Sequence, residues 1–278
     1  MTPLIKISDK IYAKLEAYQP TGSVKDRMVN YIVDHAVRNT QIMPGFTRMI
    51  EATSGNTGIS LAARAARMHC PCVIVMPCNM SEQRKDMMRA FGAQIVEVGP
   101  NDFAAAIETR NKLLAKFNRP AESWCPFQFE NKLNIQCHYE TTAVEILDQA
   151  ADLELEISAF VHGAGTGGTM MGVKKHFIDH DLDIPCVLTM PAESASTHGI
   201  QGINDGADFL LDKSLMTNFI RVETSEAIDR MKKFARESGL LVGISSGANI
   251  CAAEAYAETF DPSGIVITIL CDRGERYL

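Results

Sequence analysis

The feature that most constrains this chain is a repeated alternation of short apolar runs with stretches of helical period. An apolar run that lacks in–out alternation suits a strand buried on both faces, and a parallel sheet covered by helices buries strands in that way. The pattern predicts strands at Tyr12–Glu16, Arg48–Glu51, Cys72–Met76, Gln94–Val98, Ala159–His162, Cys186–Met190, Ile220–Val222 and Ile265–Leu270. Between them, Val24, Met28, Tyr31, Ile32 and His35 or Ala36 follow the spacing of one buried helix face. Leu61–Met68 is an alanine-rich helix suited to lying close to a neighbouring backbone, and Ser81 opens another helix that Gly92 closes. The fold class is therefore α/β. The loop-like stretch Asn118–Pro126 is the place where two lobes could join, and Pro191–Asp208 is a second irregular stretch.

At 278 residues the chain can form one large α/β domain or two modest lobes. Its net charge of −7, from 27 basic and 34 acidic residues, argues against nucleic acid or an anionic membrane as partner. A local basic pocket for a small anion stays open. No secretory h-region is expected at the N-terminus, and the longest apolar runs, Val73–Met76 and Ile265–Leu270, are too short to span a bilayer. The eight cysteines are scattered through apolar stretches, which predicts reduced core thiols in a cytoplasmic protein. His69, Cys70, Cys72 and Cys78 are the one group that suggests a metal. Cys72 opens a strand-like run, however, and no second ligand pair follows, so core cysteine is the reading and no metal is expected.

Three turns rich in glycine and hydroxyls each join a strand-like run to a helix. In a parallel sheet such turns gather at the carboxyl ends of the strands, where ligands bind. In Glu51–Gly58 the hydroxyls of Thr53, Ser54 and Thr57, the Asn56 amide and backbone N–H groups around Gly55 could hold a carboxylate or phosphate. The alternative there is a plain capped helix start. In His162–Thr169, Gly163, Gly165 and Gly168 satisfy G-x-G-x-x-G, and Glu193 follows about one βαβ unit later. That turn reads as an anion site whose glycines admit backbone N–H groups to a phosphate; a dinucleotide is the rival ligand. Gly243–Ala248 could aim one hydroxyl at a ligand or serve only as a helix cap.

Lys25 stands at the start of the helix that runs to about Val37. The positive end of a helix dipole disfavours a cation there, and with partial burial it favours the neutral amine, the form that attacks an aldehyde. A plain surface lysine is the competing account of this position.

Taken together, these segments resemble the cysteine synthase and cystathionine β-synthase family of fold type II pyridoxal-phosphate enzymes, over nearly the whole chain. The motifs run in order from Thr-Pro-Leu at 2–4 through Lys-Leu-Glu at 14–16, Gly-Ser-Val-Lys-Asp-Arg at 22–27 and Thr-Ser-Gly-Asn-Thr-Gly at 53–58. Met-Pro at 76–77, Phe-Gly-Ala at 91–93, Gln-Phe at 128–129 and Gly-Thr-Gly-Gly-Thr at 165–169 follow. The series ends with Pro-Ala-Glu-Ser at 191–194, Ile-Gln-Gly-Ile at 200–203, Gly-Ile-Ser-Ser-Gly-Ala at 243–248 and Asp-Arg-Gly-Glu-Arg-Tyr at 272–277.

The resemblance implies a two-lobed architecture similar to the tryptophan synthase β-subunit, each lobe a mostly parallel sheet covered by helices. Residues 19–129 would form the smaller lobe, with the cofactor lysine and the substrate-carboxylate turn. Residues 1–18 and 130–278 would form the larger one, with the cofactor-phosphate turn. The implied cofactor is pyridoxal 5'-phosphate, tethered as an imine to Lys25, which also moves the substrate α-proton. Asn56 would bond the cofactor's 3'-oxygen, Gly165, Thr166, Gly167, Gly168 and Thr169 would cradle its phosphate, and Ser245 would face its pyridine nitrogen. Thr53, Ser54, Gly55, Thr57 and Gln128 would take the substrate carboxylate. The implied reaction is β-replacement, forming L-cysteine from O-acetyl-L-serine and sulfide through an α-aminoacrylate intermediate. A neutral hydroxyl opposite the ring nitrogen, in place of a carboxylate, favours loss of a β-leaving group over transamination.

The chain departs from the family pattern in three places. It starts almost directly at Thr-Pro-Leu, so a longer arm that helps join family dimers is expected to be missing, and no haem-binding or regulatory extension is expected after Leu278. Asn204 and Asp205 stand where many relatives carry Gly-Ala. Asp205 could tune the site toward cysteine desulfuration or be a solvated loop acid. No dedicated arginine for a phosphorylated substrate is evident near this loop. The alternatives in the same chemistry are a cystathionine β-synthase-like enzyme, a cysteine desulfhydrase or a serine/threonine dehydratase. Those of another class are a NAD-binding oxidoreductase built on Gly163–Gly168 and a non-catalytic, partner-binding family member. The expected partners are an amino acid, sulfide or a thiol, a second copy of the chain as homodimer, and the C-terminal tail of a serine acetyltransferase.

Overall fold

The computed structural model describes residues 1–277 apart from 118, 120, 195, 196 and 204–206. Its strands are β1 (Leu4–Lys6), β2 (Ile11–Leu15), β3 (Arg48–Ala52), β4 (Cys72–Pro77), β5 (Gln94–Val98), β6 (Ser123–Trp124), β7 (Ile157–Gly163), β8 (Cys186–Pro191), β9 (Asn218–Val222) and β10 (Ile265–Leu270). Its α-helices are α1 (Lys25–Arg38), α2 (Asn56–Arg67), α3 (Glu82–Ala90), α4 (Phe103–Lys116), α5 (Leu133–Cys137), α6 (Ala143–Asp152), α7 (Gly168–Asp179), α8 (Thr224–Ser238) and α9 (Ile244–Phe260). The chain divides into two compact units, one of Met1–Val24 with Phe129–Arg276, the other of Lys25–Gln128 with Tyr277.

The first unit holds a six-stranded sheet in the order β1-β2-β10-β7-β8-β9. Only the β1–β2 pair is antiparallel. Every residue of β10 is buried, as expected of a strand covered on both sides. Phe160, Val173, Phe177 and Ile267 form one core cluster, and Val161, Val187, Ala252 and Val266 form another. Helix α8 starts with a capping box of Glu223 and Glu226 and closes on Gly239 at φ 73°. Helix α9 presses against it so closely that a Cβ on Gly247 would lie 2.1 Å from the Ala227 carbonyl oxygen. Beneath β2, the fully buried Lys14 ammonium lies 2.7 Å from Glu145 and donates to the Thr2 carbonyl and to Gln149.

The second unit holds a four-stranded sheet in the order β5-β4-β3-β6, parallel throughout. The central β4 is buried along its whole length. Helix α1 buries Met28, Val29, Ile32, Val33 and Ala36, one face at helical spacing. Tyr31 and His35, expected on that face, are half-buried at its border. Asp102 caps α4 by accepting from Ala105 N–H at 2.8 Å.

All eight expected strands are present, with ends shifted by up to two residues. The two unforeseen strands are β1, of three residues, and β6, of two. Both are too short to show a period. The strand β6 also changes the reading of Asn118–Pro126. Ser123–Trp124 pairs with Arg48–Met49, so the stretch completes the second unit's sheet and does not join units. The chain passes from one unit to the other at Val24–Lys25 and Gln128–Phe129.

Replacing Gly247 with alanine should destabilise the first unit by about 2 kcal/mol or more, since the added methyl meets fixed backbone on α8. Urea denaturation of the two proteins checks this through the midpoint at unchanged m-value.

Candidate active site

In the second unit, β3 runs into Thr53–Gly55 and α2 starts at Asn56. The Gly55 N–H donates to the Thr53 hydroxyl at 3.1 Å, which fixes the turn as it enters the helix. Arg84, from α3, lies under the turn: its guanidinium donates to the Ser54 carbonyl at 3.3 Å, and a Cβ on Gly55 would come within 2.5 Å of its side chain. Gln128 lies 71 positions beyond Thr57, and the fold brings the two together. The Thr57 hydroxyl donates to Gln128 Oε1 at 2.6 Å, and Gln128 Nε2 donates to the Ala52 carbonyl at 3.3 Å. Lys25 is the first residue of α1 and is half-buried. Beside it, the buried Asp26 accepts from Ser60 Oγ at 2.5 Å, tying the start of α1 to α2.

Behind this turn lies a charge pair that sequence reasoning missed. Glu51, at the carboxyl end of β3, is fully buried, and Arg110 on α4 is nearly so. Glu51 Oε1 accepts from the Ala52 N–H at 2.8 Å and from Arg110 Nη1 at 3.2 Å. Its Oε2 accepts from the Gln128 N–H at 3.2 Å. Burial pushes the Glu51 carboxyl above the ordinary carboxylate range, while Arg110 and the two backbone donors pull it down. Three donors converging on two oxygens is an arrangement that suits the ionised form.

In the first unit, β7 ends at Gly163 and α7 starts at Gly168. Gly167 sits at φ 88°, and a Cβ there would lie 2.6 Å from the Leu211 N atom. Glycine is therefore required both by conformation and by crowding. A Cβ on Gly168 would fall 2.0 Å from Asn134 Oδ1. Asn134 Nδ2 donates to Thr166 Oγ1 at 3.0 Å, which in turn accepts from the Gly168 N–H at 3.3 Å. Thr169 Oγ1 lies 3.2 Å from His138 Nε2, and His138 Nδ1 lies 2.8 Å from Thr142 Oγ1. Asn134 and His138 belong to α5 and to the π-helical turn His138–Thr142 that follows it. Two hydroxyls and a run of small residues are thus pinned at the positive end of a 12-residue helix, an arrangement that fits a phosphate group.

Ser245 is buried in the first turn of α9. One turn on, Asn249 Oδ1 accepts from the Gly163 N–H at 2.8 Å, and its Nδ2 donates to the Ile269 carbonyl at 2.9 Å. The helix carrying Ser245 is thereby fastened to the strand that feeds the Gly165–Thr169 turn. Glu193, the acid that a dinucleotide site would direct at a ribose, accepts from the Thr224 N–H at 2.8 Å at the start of α8. That bond holds its carboxyl below the ordinary range, so this acid caps a helix. Asp205 lies outside the described residues.

Each candidate among the described residues is therefore built into a turn or helix start, some in one unit and some in the other. Arg84, Asn134, His138, Glu51 and Arg110 were not picked out as part of the site. The i, i+4 spacing of Asn134 and His138 is the one sequence signal for them, and it also fits an ordinary helix face. Among the described residues no group of three His, Cys, Asp or Glu side chains is placed to hold a metal. Cys70 and Cys72 are buried, while Cys78 is exposed.

The chain matches the family model "Pyridoxal-phosphate dependent enzyme" over residues 1–272. It is 39% identical to cysteine synthase B of Campylobacter jejuni, in an alignment that covers 100% of this chain and 94% of that protein. Among solved structures, O-ureido-L-serine synthase superposes with a TM-score of 0.91 at 31% identity, covering 100% of this chain and 90% of the other. A hydrogen sulfide-producing enzyme from Fusobacterium nucleatum superposes with a TM-score of 0.90 at 33% identity, covering 100% and 96%.

Burial raises the Cys72 and Cys186 thiols to about 12 and Cys251 to about 11, and lifts Cys125 well above its usual value. Since the thiolate is the reactive form, iodoacetamide at pH 8 should label Cys78 first in the native protein. Cys251, half-buried, should react more slowly, and the buried Cys72, Cys125 and Cys186 only once the chain is unfolded, a difference that peptide mass spectrometry reads directly.

Proposed function

The chain belongs to the pyridoxal-phosphate-dependent enzyme family, in its cysteine synthase branch, and from that premise we propose that it forms L-cysteine from O-acetyl-L-serine and sulfide by β-replacement. The observation that carries the cofactor assignment is the Gly165–Thr169 turn, whose glycines, pinned hydroxyls and helix N-terminus suit a phosphate. The choice of reaction is supported by the C. jejuni relative, named a cysteine synthase, and by the neutral Ser245 in the first turn of α9.

In this reading Lys25 would tether the cofactor, Asn56 would bond its ring oxygen, Gly165, Thr166, Gly167, Gly168 and Thr169 would hold its phosphate, and Ser245 would meet its ring nitrogen. Bound pyridoxal phosphate supplies an electron sink for the carbanion formed at the substrate α-carbon. The Lys25 amine takes the proton from that carbon, acting as a general base at the start of a helix whose dipole favours its neutral form. Thr53, Ser54, Gly55, Thr57 and Gln128 bind the substrate carboxylate with N–H and O–H donors around the start of α2, where the dipole favours an anion. Ser245 would meet the ring nitrogen with a neutral hydroxyl that adds no charge, a setting that would favour loss of the β-acetoxy group as acetate over transamination.

A homodimer and a docked serine acetyltransferase tail enter this reading through the family resemblance alone. A cytoplasmic location is supported by eight cysteines that are all free thiols. No helix among the described residues is long and apolar enough to cross a membrane. One second reading has a specific observation in its favour. The likeness to the hydrogen sulfide-producing enzyme points to the reverse use of the site, elimination of sulfide from cysteine.

The visible spectrum of the purified protein, taken before and after O-acetylserine and again after sulfide, tests the proposal. A yellow protein whose band moves to longer wavelength with O-acetylserine and returns with sulfide, as cysteine accumulates, is the expected result. A yellow protein that ignores O-acetylserine and releases sulfide from cysteine would replace the first reading with the second. Lys25→Ala should lower turnover about a thousandfold while the chain stays folded by circular dichroism.

A further inference from the structure

We propose that the buried Glu51–Arg110 pair is a positioning device for the substrate carboxylate, acting through Gln128 and the peptide that enters the Thr53–Thr57 turn; this rests on the carboxylate assignment made above. Glu51 does not occupy the turn. Its two oxygens instead fix the backbone on either side of it. One accepts from the N–H of Ala52, immediately before Thr53, and the other from the N–H of Gln128. The Gln128 side chain then spans the same gap, accepting from Thr57 and donating to the Ala52 carbonyl. The carboxylate therefore sets the separation between β3 and the strap that carries Gln128, and with it the direction of the Gln128 amide.

Arg110 secures both ends of this arrangement. Its Nη1 donates to Glu51, while its guanidinium carbon sits 4.8 Å from the centre of the Phe127 ring. Phe127 has a φ of 52°, a left-handed conformation that a bulky side chain seldom adopts. The strap Cys125–Gln128 is thus held in a strained shape beneath a buried cation. Asn111 Oδ1 accepts from Nε and Nη2 of Arg110 at 3.1 and 3.0 Å, which locks the guanidinium plane. A buried ion pair is a poor source of stability compared with apolar packing. Its use here is geometric, since two ionised groups that each need several partners tolerate few arrangements of those partners.

The test compares wild type, Glu51→Gln, and the double variant Glu51→Gln with Arg110→Met. The double variant removes the buried cation along with the anion, so its urea midpoint should lie closer to wild type than that of Glu51→Gln alone. Carboxylate recognition should be weakened to the same extent in both. The KM for the amino-acid substrate should rise about tenfold, with cofactor content, kcat and the KM for sulfide little changed. The preference of the bound cofactor's absorbance change for L-serine over L-serinamide should shrink by a similar factor. If the double variant keeps the wild-type KM and the wild-type preference for the carboxylate, the positioning role is wrong. A second readout needs no substrate. Amide hydrogen exchange in the segment 125–129 should accelerate in Glu51→Gln, and unchanged exchange there would also overturn the proposal. Should wild type respond to none of L-serine, O-acetylserine and L-cysteine, the carboxylate assignment itself fails, and the exchange result alone decides whether Glu51 holds the strap.

Discussion

The exposure of backbone N–H groups at a helix start directly after a strand is the constraint on which the proposed site depends. Donors at the first turn of a helix have no partner within the helix, and the dipole adds a positive field. To expose them the chain must make a tight turn directly after a strand, with no side chain in the way. At Gly167 and Gly168 that demand is visible as space already taken: a methyl group at either position would collide with the Leu211 backbone or with Asn134. The parallel sheets follow from the same need. Parallel order places every strand-to-helix turn at the same edge of its sheet, so one architecture repeatedly offers helix starts to ligands.

The alternation of apolar runs and helical stretches made the larger strands legible because β4 and β10 are buried along their whole length and so are almost entirely apolar, with Thr268 the one hydroxyl in β10, donating to the Val161 carbonyl. The short β1 and β6 could not be read. Each is held in place by its neighbour: β6 exists because Arg48–Met49 offers an open edge to Ser123–Trp124. The positions of the turns were legible too, because a glycine and hydroxyl cluster after a strand marks a helix start whether it caps the helix or meets a ligand. Their supports were not. Asn134 and His138 act on Thr166 and Thr169 from about 32 residues away, and a single asparagine or histidine on a helix carries no mark of such a task.

Glu193 illustrates the same limit from the other side. Its distance from Gly163–Gly168 fits a dinucleotide site, yet its carboxylate accepts from the first turn of α8. Spacing along a chain fixes which element a residue lies on. It does not fix which neighbour that element meets, and an acid near any helix start finds a favourable field whether or not a ligand is bound. In the Gly165–Thr169 turn the demand is more specific, because crowding at Gly167 and Gly168 leaves no room for a side chain at either position.

The two turns proposed as anion sites are shaped by different means. In the first unit the turn is shaped by exclusion, with glycines admitted where the backbone of 211 and the amide of Asn134 leave no room. In the second it is shaped by attraction, with Glu51 drawing the Ala52 and Gln128 N–H groups onto one carboxylate and Arg110 holding that carboxylate in turn. The difference suits the ligands proposed for them. A phosphate that stays bound through every turnover needs a rigid cradle, and steric exclusion provides one that cannot relax. A substrate carboxylate must enter and leave, so its donors need to be aimed without being closed off. A buried charge pair behind the turn aims them from the rear while leaving the face of the turn clear.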